Sequence, residues 1–395
     1  MRAALIAVGD ELTCGYRLDT NSQFIAQQLA ALPLDVVLHL TVGDETAAIQ
    51  AALGMAMDVA KVIVVAGGLG PTEDDLTRQA VAQFFQRSLE ENPAALERMQ
   101  ERFARRGRSM PERNRTQAQI PAGSQPILND RGTAAGFYLP ESGRHIFAVP
   151  GVPYEMAGMM AGFILPRLQQ ITSGTQAVRR GVLKVFGIPE SEVAQRIAAM
   201  MGRERNPLLG LLPRLGTITV EIVAKGATPQ QAQALLDADR QALQAILGDA
   251  VLCSDERTLP EVVGDLLAQQ GLQLAVAEAV DGTGGAIAAC LTEVAGSGQW
   301  FRRGEVREWR DPSPRLLAEQ IRRSAAADAG LVSGPLAMPT DAAPGRPYGV
   351  IHVAVDLNGA VVEQRLSYSG ERGWVRQFAA SAAVNMLRLQ LLGRG

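Results

Sequence analysis

The sequence predicts an α/β protein built as three domains, and three observations carry that prediction. Short apolar runs alternate with stretches of helical periodicity as far as about Pro166, which implies a parallel sheet covered on both faces. Glycine followed by acid closes three of those runs. The pattern then changes twice, near residue 172 and near Asp255, so the 395 residues divide into three parts. The expected boundaries are 1–170, 171–253 and 254–395.

Taken in order, "ALIAVG" reads as a strand and "TNSQFIAQQLAAL" as a helix, with Thr20 or Asn21 available as its N-cap. "DVVLHLTVG" is strand-like, "ETAAIQAALGMAMD" helical, and "AKVIVVAGG" the most strand-like run of all. From Val182 the order is strand ("VLKVFG"), helix ("SEVAQRIAAMM"), a Pro/Gly-rich loop ("NPLLGLLPRLG"), strand ("TITVEIVAKG") and a long helix that ends at Gly248. That is a small α+β unit. Beyond Asp255, "TLPEVVGDLLAQQG" is an amphipathic helix and "LQLAVAEAV" a strand. Leu357-Asn358-Gly359 suits a hairpin turn.

Composition narrows the function classes. Hydrophobic residues make up 47% and charged residues 20%, enough for sizeable cores. A formal net charge of -3 argues against nucleic acid as a partner. Cys14, Cys253 and Cys290 form no CxxC pair, so neither a disulfide framework nor a cysteine zinc site is expected. His39, His145 and His352 are far apart in sequence, which disfavours a histidine metal site. The first apolar run stops at Gly9-Asp10-Glu11, as a strand and turn do and a signal peptide does not. No run approaches the roughly 18 apolar residues of a membrane span, so no membrane contact and a cytoplasmic location are expected.

The chemistry concentrates in "VVAGGLGPTEDDLTRQA", Val64 to Ala80. Gly67, Gly68 and Gly70 let backbone N–H groups approach a ligand closely, and a helix beginning near Asp74 would aim its free N–H groups at the same place. That suits phosphate or pyrophosphate. Asp74 and Asp75 then call for a hard divalent cation bridging carboxylate and phosphate, or else they cap the helix. The other glycine–acid ends, Gly9-Asp10-Glu11 and Gly43-Asp44-Glu45, would lie on the same edge of a parallel sheet, where ligands of such sheets bind.

Six motifs in order, "AVGDELTCGYRLDTNSQFIAQQL", "TVGDE", "VVAGGLGPTEDDLT", "RFARRGRSMPERNRTQAQIP", "ILNDRGTAAGF" and "AVPGVPYEM", resemble the CinA (competence/damage-inducible protein A) family. The resemblance implies that the first domain is a molybdopterin-binding-like, doubly wound mixed sheet. It also implies divalent-metal-dependent ADP-ribose pyrophosphatase activity, with Mg²⁺, Mn²⁺ or Co²⁺ as cofactor and a nucleotide as substrate. Asp75, Asp74 and Glu11 would be catalytic, and Asp44 with Asp75 would hold the metal. Gly67, Gly68, Leu69, Gly70, Thr72, Asn114, Gly132, Thr133, Gly136 and Gly151 would contact substrate. "GTAAG" stands where the family commonly has "GTAPG", and Pro150-Gly151-Val152-Pro153 with Glu155 where it has "PGPPxE". The middle segment resembles the family's KH-like linker, without a GxxG clamp. A homodimer is a further implication.

The last segment resembles the CinA C-terminal domain, which in fully equipped members is a nicotinamide mononucleotide deamidase with an Ala-Glu-Ser-Cys-Thr-Gly-Gly signature. Here Ala277-Glu278 and Thr283-Gly284-Gly285 flank Ala279-Val280-Asp281-Gly282, and no serine stands between them. Ala279 takes the nucleophile's place, while Glu308 and Ser313 fall at the supporting Tyr and Lys positions. "VSGPLAMPTDAAPG" replaces a glycine-rich element. The expected outcome is a domain without deamidase activity, since an activated hydroxyl or thiol beside a base is missing. Two alternatives stay open: a non-catalytic nucleotide- or pterin-binding protein, and deamidation through another nucleophile. For Cys290, in "AIAACLTEV", a packing role is expected.

Overall fold

A computed structural model describes residues 1–174, 176–214, 216–309, 313–338 and 348–394. They form two compact units, residues 1–178 with 226–229, and residues 179–225 with 230–395.

The first unit holds a six-stranded mixed sheet. Its strands are β1 (Arg2–Val8), β2 (Asp35–Val42), β3 (Val62–Ala66), β6 (Gln125–Ile127), β7 (Gly136–Glu141) and β8 (Arg144–Val149), in the order β2-β1-β3-β8-β7-β6. A small separate ribbon pairs β4 (Leu89–Glu91) with β5 (Gln119–Pro121). β2, β1, β3 and β8 run parallel, and β7 and β6 are antiparallel additions. Alternate residues of the central strands enter opposite cores. Ile6, Ile63 and Val65 pack with Ile49 and Leu53, whereas Leu5 and Val64 pack with Ile25, Leu29 and Phe147. Burial on both faces explains why β3 reads as an unbroken apolar run. The sheet grows from β1 first to β2 and then, on the other side, to β3, so the crevice beyond their carboxyl ends is a topological switch point.

Helices α1 (Asp10–Thr13), α2 (Thr20–Ala30), α3 (Thr46–Val59), α4 (Thr77–Phe84), α5 (Pro93–Arg105), α6 (Pro153–Met159) and α7 (Leu165–Ile171) complete the unit. Two local expectations are corrected. The N-cap of α2 is Asp19, whose carboxylate accepts from the Ser22 N–H at 2.9 Å, instead of Thr20 or Asn21. α4 begins at Thr77 rather than near Asp74, because Asp74 and Asp75 are held in the turn before it, and neither caps it.

In the second unit a four-stranded sheet has the order β10-β11-β9-β12, from β9 (Ala177–Phe186), β10 (Leu208–Arg214), β11 (Thr217–Gly226) and β12 (Val251–Cys253). The stretch expected to be a loop, "NPLLGLLPRLG", contains β10. Seven residue pairs couple Leu208–Arg214 to β11 in antiparallel register, and Pro213 is tolerated because β10 is an edge strand. α8 (Glu190–Arg196) and α9 (Pro229–Leu247) flank this sheet in sequence. The closing sheet has the order β14-β13-β15-β16-β17, from β13 (Leu274–Ala279), β14 (Phe301–Arg307), β15 (Ala329–Ser333), β16 (Tyr348–Leu357) and β17 (Ala360–Ser369). Its helices are α10 (Leu259–Gln270), α11 (Ala286–Thr292), α12 (Pro314–Ser324) and α13 (Arg372–Leu391). The expected hairpin turn forms between β16 and β17, with Asn358 at φ 52° and Gly359 at φ 95°. Thr258 and Glu261 close a capping box at the start of α10.

The central position of β3 sets the first prediction. Ile63→Ala removes a fully buried side chain of β3 from the core it forms with Ile6, Ile49 and Leu53. It should destabilise the protein by about 2–5 kcal/mol, measured by urea denaturation, with a rise in flexibility of the following glycine loop.

Candidate functional site

Parallel pairing brings the strand ends to one rim. The Gly9 N–H donates to the Val42 carbonyl at 3.0 Å, and the Gly67 N–H to the Val149 carbonyl at 3.0 Å. Gly67 has φ +114°, and a Cβ there would collide with the carbonyl oxygen of Val8. Only glycine allows β1 and β3 to end this close together. A Cβ on Gly151 would in turn lie 3.5 Å from the Gly67 Cα. Gly136 begins β7 opposite the end of β8, so the second glycine loop shares this edge.

Two aspartates lock the first two strand ends across the rim. The Asp10 N–H donates to the Asp44 carboxylate at 2.9 Å, and the Asp44 N–H donates to the Asp10 carboxylate at 3.0 Å. Glu11 folds back over Gly9, its carboxylate 2.6 Å from where a Cβ would stand. Partial burial, then the negative charges of Asp10, Glu11 and Asp74, push the Asp44 carboxyl above the usual carboxylate range. Asp10, Glu11 and Asp74 thus all bear electrostatically on Asp44. From the sequence Asp10 was named only as part of the Gly9-Asp10-Glu11 strand end and was given no role of its own.

Asp75 is engaged within its own loop. Its carboxylate accepts from the Gly70 N–H at 2.6 Å, the Thr72 N–H at 2.8 Å and the Thr72 hydroxyl at 2.5 Å. It organises the loop from within. Arg78, buried, donates to the carbonyls of Leu69 at 2.7 Å and Gly70 at 2.6 Å. Burial pulls its guanidinium down to about 10, and the nearby Asp75 charge opposes that fall. Thr77, also buried, donates its hydroxyl to the Gly67 carbonyl at 2.8 Å. Thr77 and Arg78 were missed at the sequence level; both lie in the first turn of α4, directly after the glycine loop. The carbonyls of Gly67, Gly68, Leu69 and Gly70 and the Asp75 carboxylate are thus all engaged. The N–H groups of Gly68 and Leu69 have no hydrogen-bond partner among the described residues.

The remaining expected contacts divide. The Asn129 side chain secures Gly132: its oxygen accepts from the Gly132 N–H at 2.7 Å and its amide donates to Glu155 at 2.6 Å. That N–H is thus occupied. Thr133 lies half-buried in the same loop. Asn114 is not brought to the rim by any contact. It donates to Gln117 at 3.0 Å within a 3-10 helix, Glu112–Ala118, whose link to the loop is the Ala135 N–H donating to the Gln117 carbonyl at 3.3 Å. Gly151 accepts from the Asn21 amide at 2.8 Å.

In the closing domain, Ala279 ends β13 and is fully buried, Glu308 follows β14, and Ser313 precedes α12. Residues 310–312, and the divergent segment beyond Met338, lie outside the described residues. The Glu278 carboxylate, fully buried, accepts from the N–H groups of Gly285, Ile287 and Ala288 at 3.0, 3.1 and 2.9 Å. Arg376 donates to the Thr283 carbonyl at 3.1 Å and occupies the space that a Gly284 side chain would need; Arg372 donates to the Asp281 carbonyl at 2.7 Å. The Thr283 hydroxyl is buried without a partner. Burial, then the Glu278 charge, pushes the Cys290 thiol up to about 12.

A glycine-lined, acid-rimmed crevice at the switch point of a mixed α/β sheet, followed by a small antiparallel domain and a second α/β domain, defines a multidomain class. Three family descriptions match it in series: a probable molybdopterin binding domain over residues 4–170, the damage-inducible protein CinA KH domain over 180–252, and the CinA C-terminal domain over 256–307 and 311–391. The chain is 32% identical over 413 residues to a CinA-like protein of Dictyoglomus thermophilum, covering 99% of this chain and 100% of that one. A CinA-like protein of Thermosynechococcus vestitus is 34% identical over 418 residues, covering 99% of each. A solved structure, the protein CinA with unknown function from Thermoplasma acidophilum, is 30% identical, covers 41% of this chain and 95% of its own, and superposes with a TM-score of 0.39. The chain belongs to the CinA family. Among its described residues no helix is long and apolar enough to cross a membrane.

Arg78 yields the second prediction. Arg78→Ala leaves two carbonyls and Asp75 without their cation and should cost about 3–5 kcal/mol by chemical denaturation. Arg78→Lys, with a single point of donation, should recover part of that stability while leaving the loop less ordered by hydrogen exchange.

Proposed function

We propose that the first domain hydrolyses the phosphoanhydride of ADP-ribose or a related dinucleotide with a divalent cation, releasing AMP and a sugar phosphate. The observation that carries this reading is the convergence of unpaired Gly68 and Leu69 N–H groups with Asp10, Glu11, Asp44 and Asp74 on one rim. Amides suit the phosphate oxygens, and the acids suit a cation that offsets the phosphate charge.

The residues fit such a cation in a specific sense. Among the described residues no three His, Cys, Asp or Glu side chains are grouped closely enough to form a cage. Asp10 and Asp44 each spend one carboxylate oxygen on the other's backbone, which leaves the second oxygen for a ligand. Mg²⁺ is commonly held by one or two carboxylates, with substrate phosphates and water completing its shell. Asp10 and Asp44 would hold it. When bound, it supplies charge neutralisation at the anhydride and acidifies a water ligand. Gly68 and Leu69 orient the phosphate through their N–H groups. Glu11, folded over Gly9, takes the proton of the attacking water. Asp74 adds negative charge that favours the cation, and Asp75 fixes the loop through Gly70 and Thr72.

This predicts AMP release from ADP-ribose with Mg²⁺, Mn²⁺ or Co²⁺, followed by chromatography. Asp44→Asn should lower kcat/KM on the order of 100-fold without unfolding the protein. Cation binding needs ionised Asp44. At subsaturating Mg²⁺, activity should therefore fall as pH drops through Asp44's titration, and do so above the range of an ordinary carboxylate. Saturating Mg²⁺ should move that limb to lower pH.

A second reading is favoured by the missing cage and by the engagement of Asp75: the crevice binds a nucleotide or pterin without turnover. Calorimetric binding of ADP-ribose with no AMP released at any metal concentration would select it.

We further propose that the closing domain has lost deamidase activity. Ala279 offers no nucleophile, Cys290 is held protonated, and Arg372 and Arg376 lie across the turn that replaces the signature. Ammonia release from nicotinamide mononucleotide should stay at background, and turnover there would overturn this assignment.

A further inference from the structure

A cleft of about 610 Å³ lies within the second unit, far in sequence from the rim. The turn after β9 and the β10–β11 hairpin form one wall, and the end of β17 with the first turns of α13 form the other. Its volume falls in the range of small-molecule sites, and its position between two sheets is a common place for one.

The second wall is a ladder of aromatic rings. Tyr368 and Phe378 are stacked at 5.7 Å and 27°, and Phe378 and Trp374 at 6.1 Å and 26°. Trp374 ends the ladder and remains 54% exposed. A planar heteroaromatic ligand stacked on the open ring would continue the ladder as its next rung. Gly187 and Gly216 keep the facing wall low; a Cβ on Gly216 would come within 3.2 Å of the Phe378 ring. Charge at the mouth is of both signs. Arg214 is an exposed cation for an anionic substituent, and Glu190, also exposed, accepts an exocyclic amine.

We propose that this cleft binds a mononucleotide with an amino-bearing base, the base stacked on Trp374, the phosphate on Arg214 and the amine on Glu190. The occupant is a free nucleotide, because a ladder ending in a single open rung beside one cation serves one base and one phosphate. The site is independent of the rim chemistry.

The test titrates full-length protein carrying Asp44→Asn with AMP, without metal, following tryptophan fluorescence. Of the three tryptophans, Trp374 is the exposed one, whereas Trp300 is buried and Trp309 half-buried. The expected result is saturable quenching that is lost with the reporter in Trp374→Phe, and AMP binding by calorimetry that is kept in Trp374→Phe and weakened roughly tenfold in Trp374→Ala. Arg214→Gln should weaken AMP binding and leave adenosine binding unchanged. Circular dichroism melts of each variant establish that the fold is kept. Quenching that persists in Trp374→Phe, no saturable signal up to millimolar AMP, or much tighter binding of an oligoadenylate than of AMP would each overturn the proposal. ADP-ribose turnover by Trp374→Phe in the otherwise native chain should equal that of the unmodified chain, and failure of rim turnover in both leaves the AMP result standing.

Discussion

The close approach of Gly67 to Val8 is the constraint on which the rim depends. Parallel strands pair along their backbones, but their ends can only meet where no side chain intervenes. The collision that any Cβ at Gly67 would cause with the Val8 carbonyl defines how near β3 comes to β1. From that approach follows the rest: Asp10 and Asp44 lock the β1 and β2 ends together, and Gly151 settles against Gly67 on the other side. A sheet that ended in ordinary residues would keep its core and lose its crevice.

Around this contact, the loop is stiffened by charge rather than by apolar packing. Asp75 and Arg78 are opposite charges with separate tasks, one taking N–H groups and the other giving to carbonyls. Burying a guanidinium is unfavourable unless its donors are used, and here both named carbonyls use them. The consequence is selective: carbonyls, which would repel phosphate, are tied back, while the N–H groups of Gly68 and Leu69 are left over. Polarity at the rim is thus produced by what the loop satisfies internally.

The closing domain applies the same principle to a different end. Glu278 gathers three N–H groups at the start of α11, so the turn before it is held by a buried carboxylate. Arg372 and Arg376 then tie that turn to α13 through the carbonyls of Asp281 and Thr283. These contacts need only Glu278, the two arginines and backbone groups, so they hold strand, turn and helix together without calling on the side chain of Ala279.

The sequence by itself determined β1, β2 and β3, their ends and the family motifs, because apolar periodicity and glycine–acid punctuation are local signals, whereas the antiparallel β7 and β6 that make the sheet mixed were not read from periodicity. It also located the β16–β17 turn, since Asn358-Gly359 carries its backbone preference in its own residues. It did not show β10, because the glycine and prolines of "NPLLGLLPRLG" read locally as loop and only the partner β11 makes them a strand. Nor did it separate Asp75 from Asp74: adjacent and chemically identical, they diverge because Asp75 accepts from the N–H groups of Gly70 and Thr72 while Asp74 stays exposed and meets the Thr72 side chain and its own backbone. Tertiary structure decided the roles of Asp10, Thr77 and Arg78 for the same reason, since a hydrogen bond belongs to two groups and the sequence lists them one at a time.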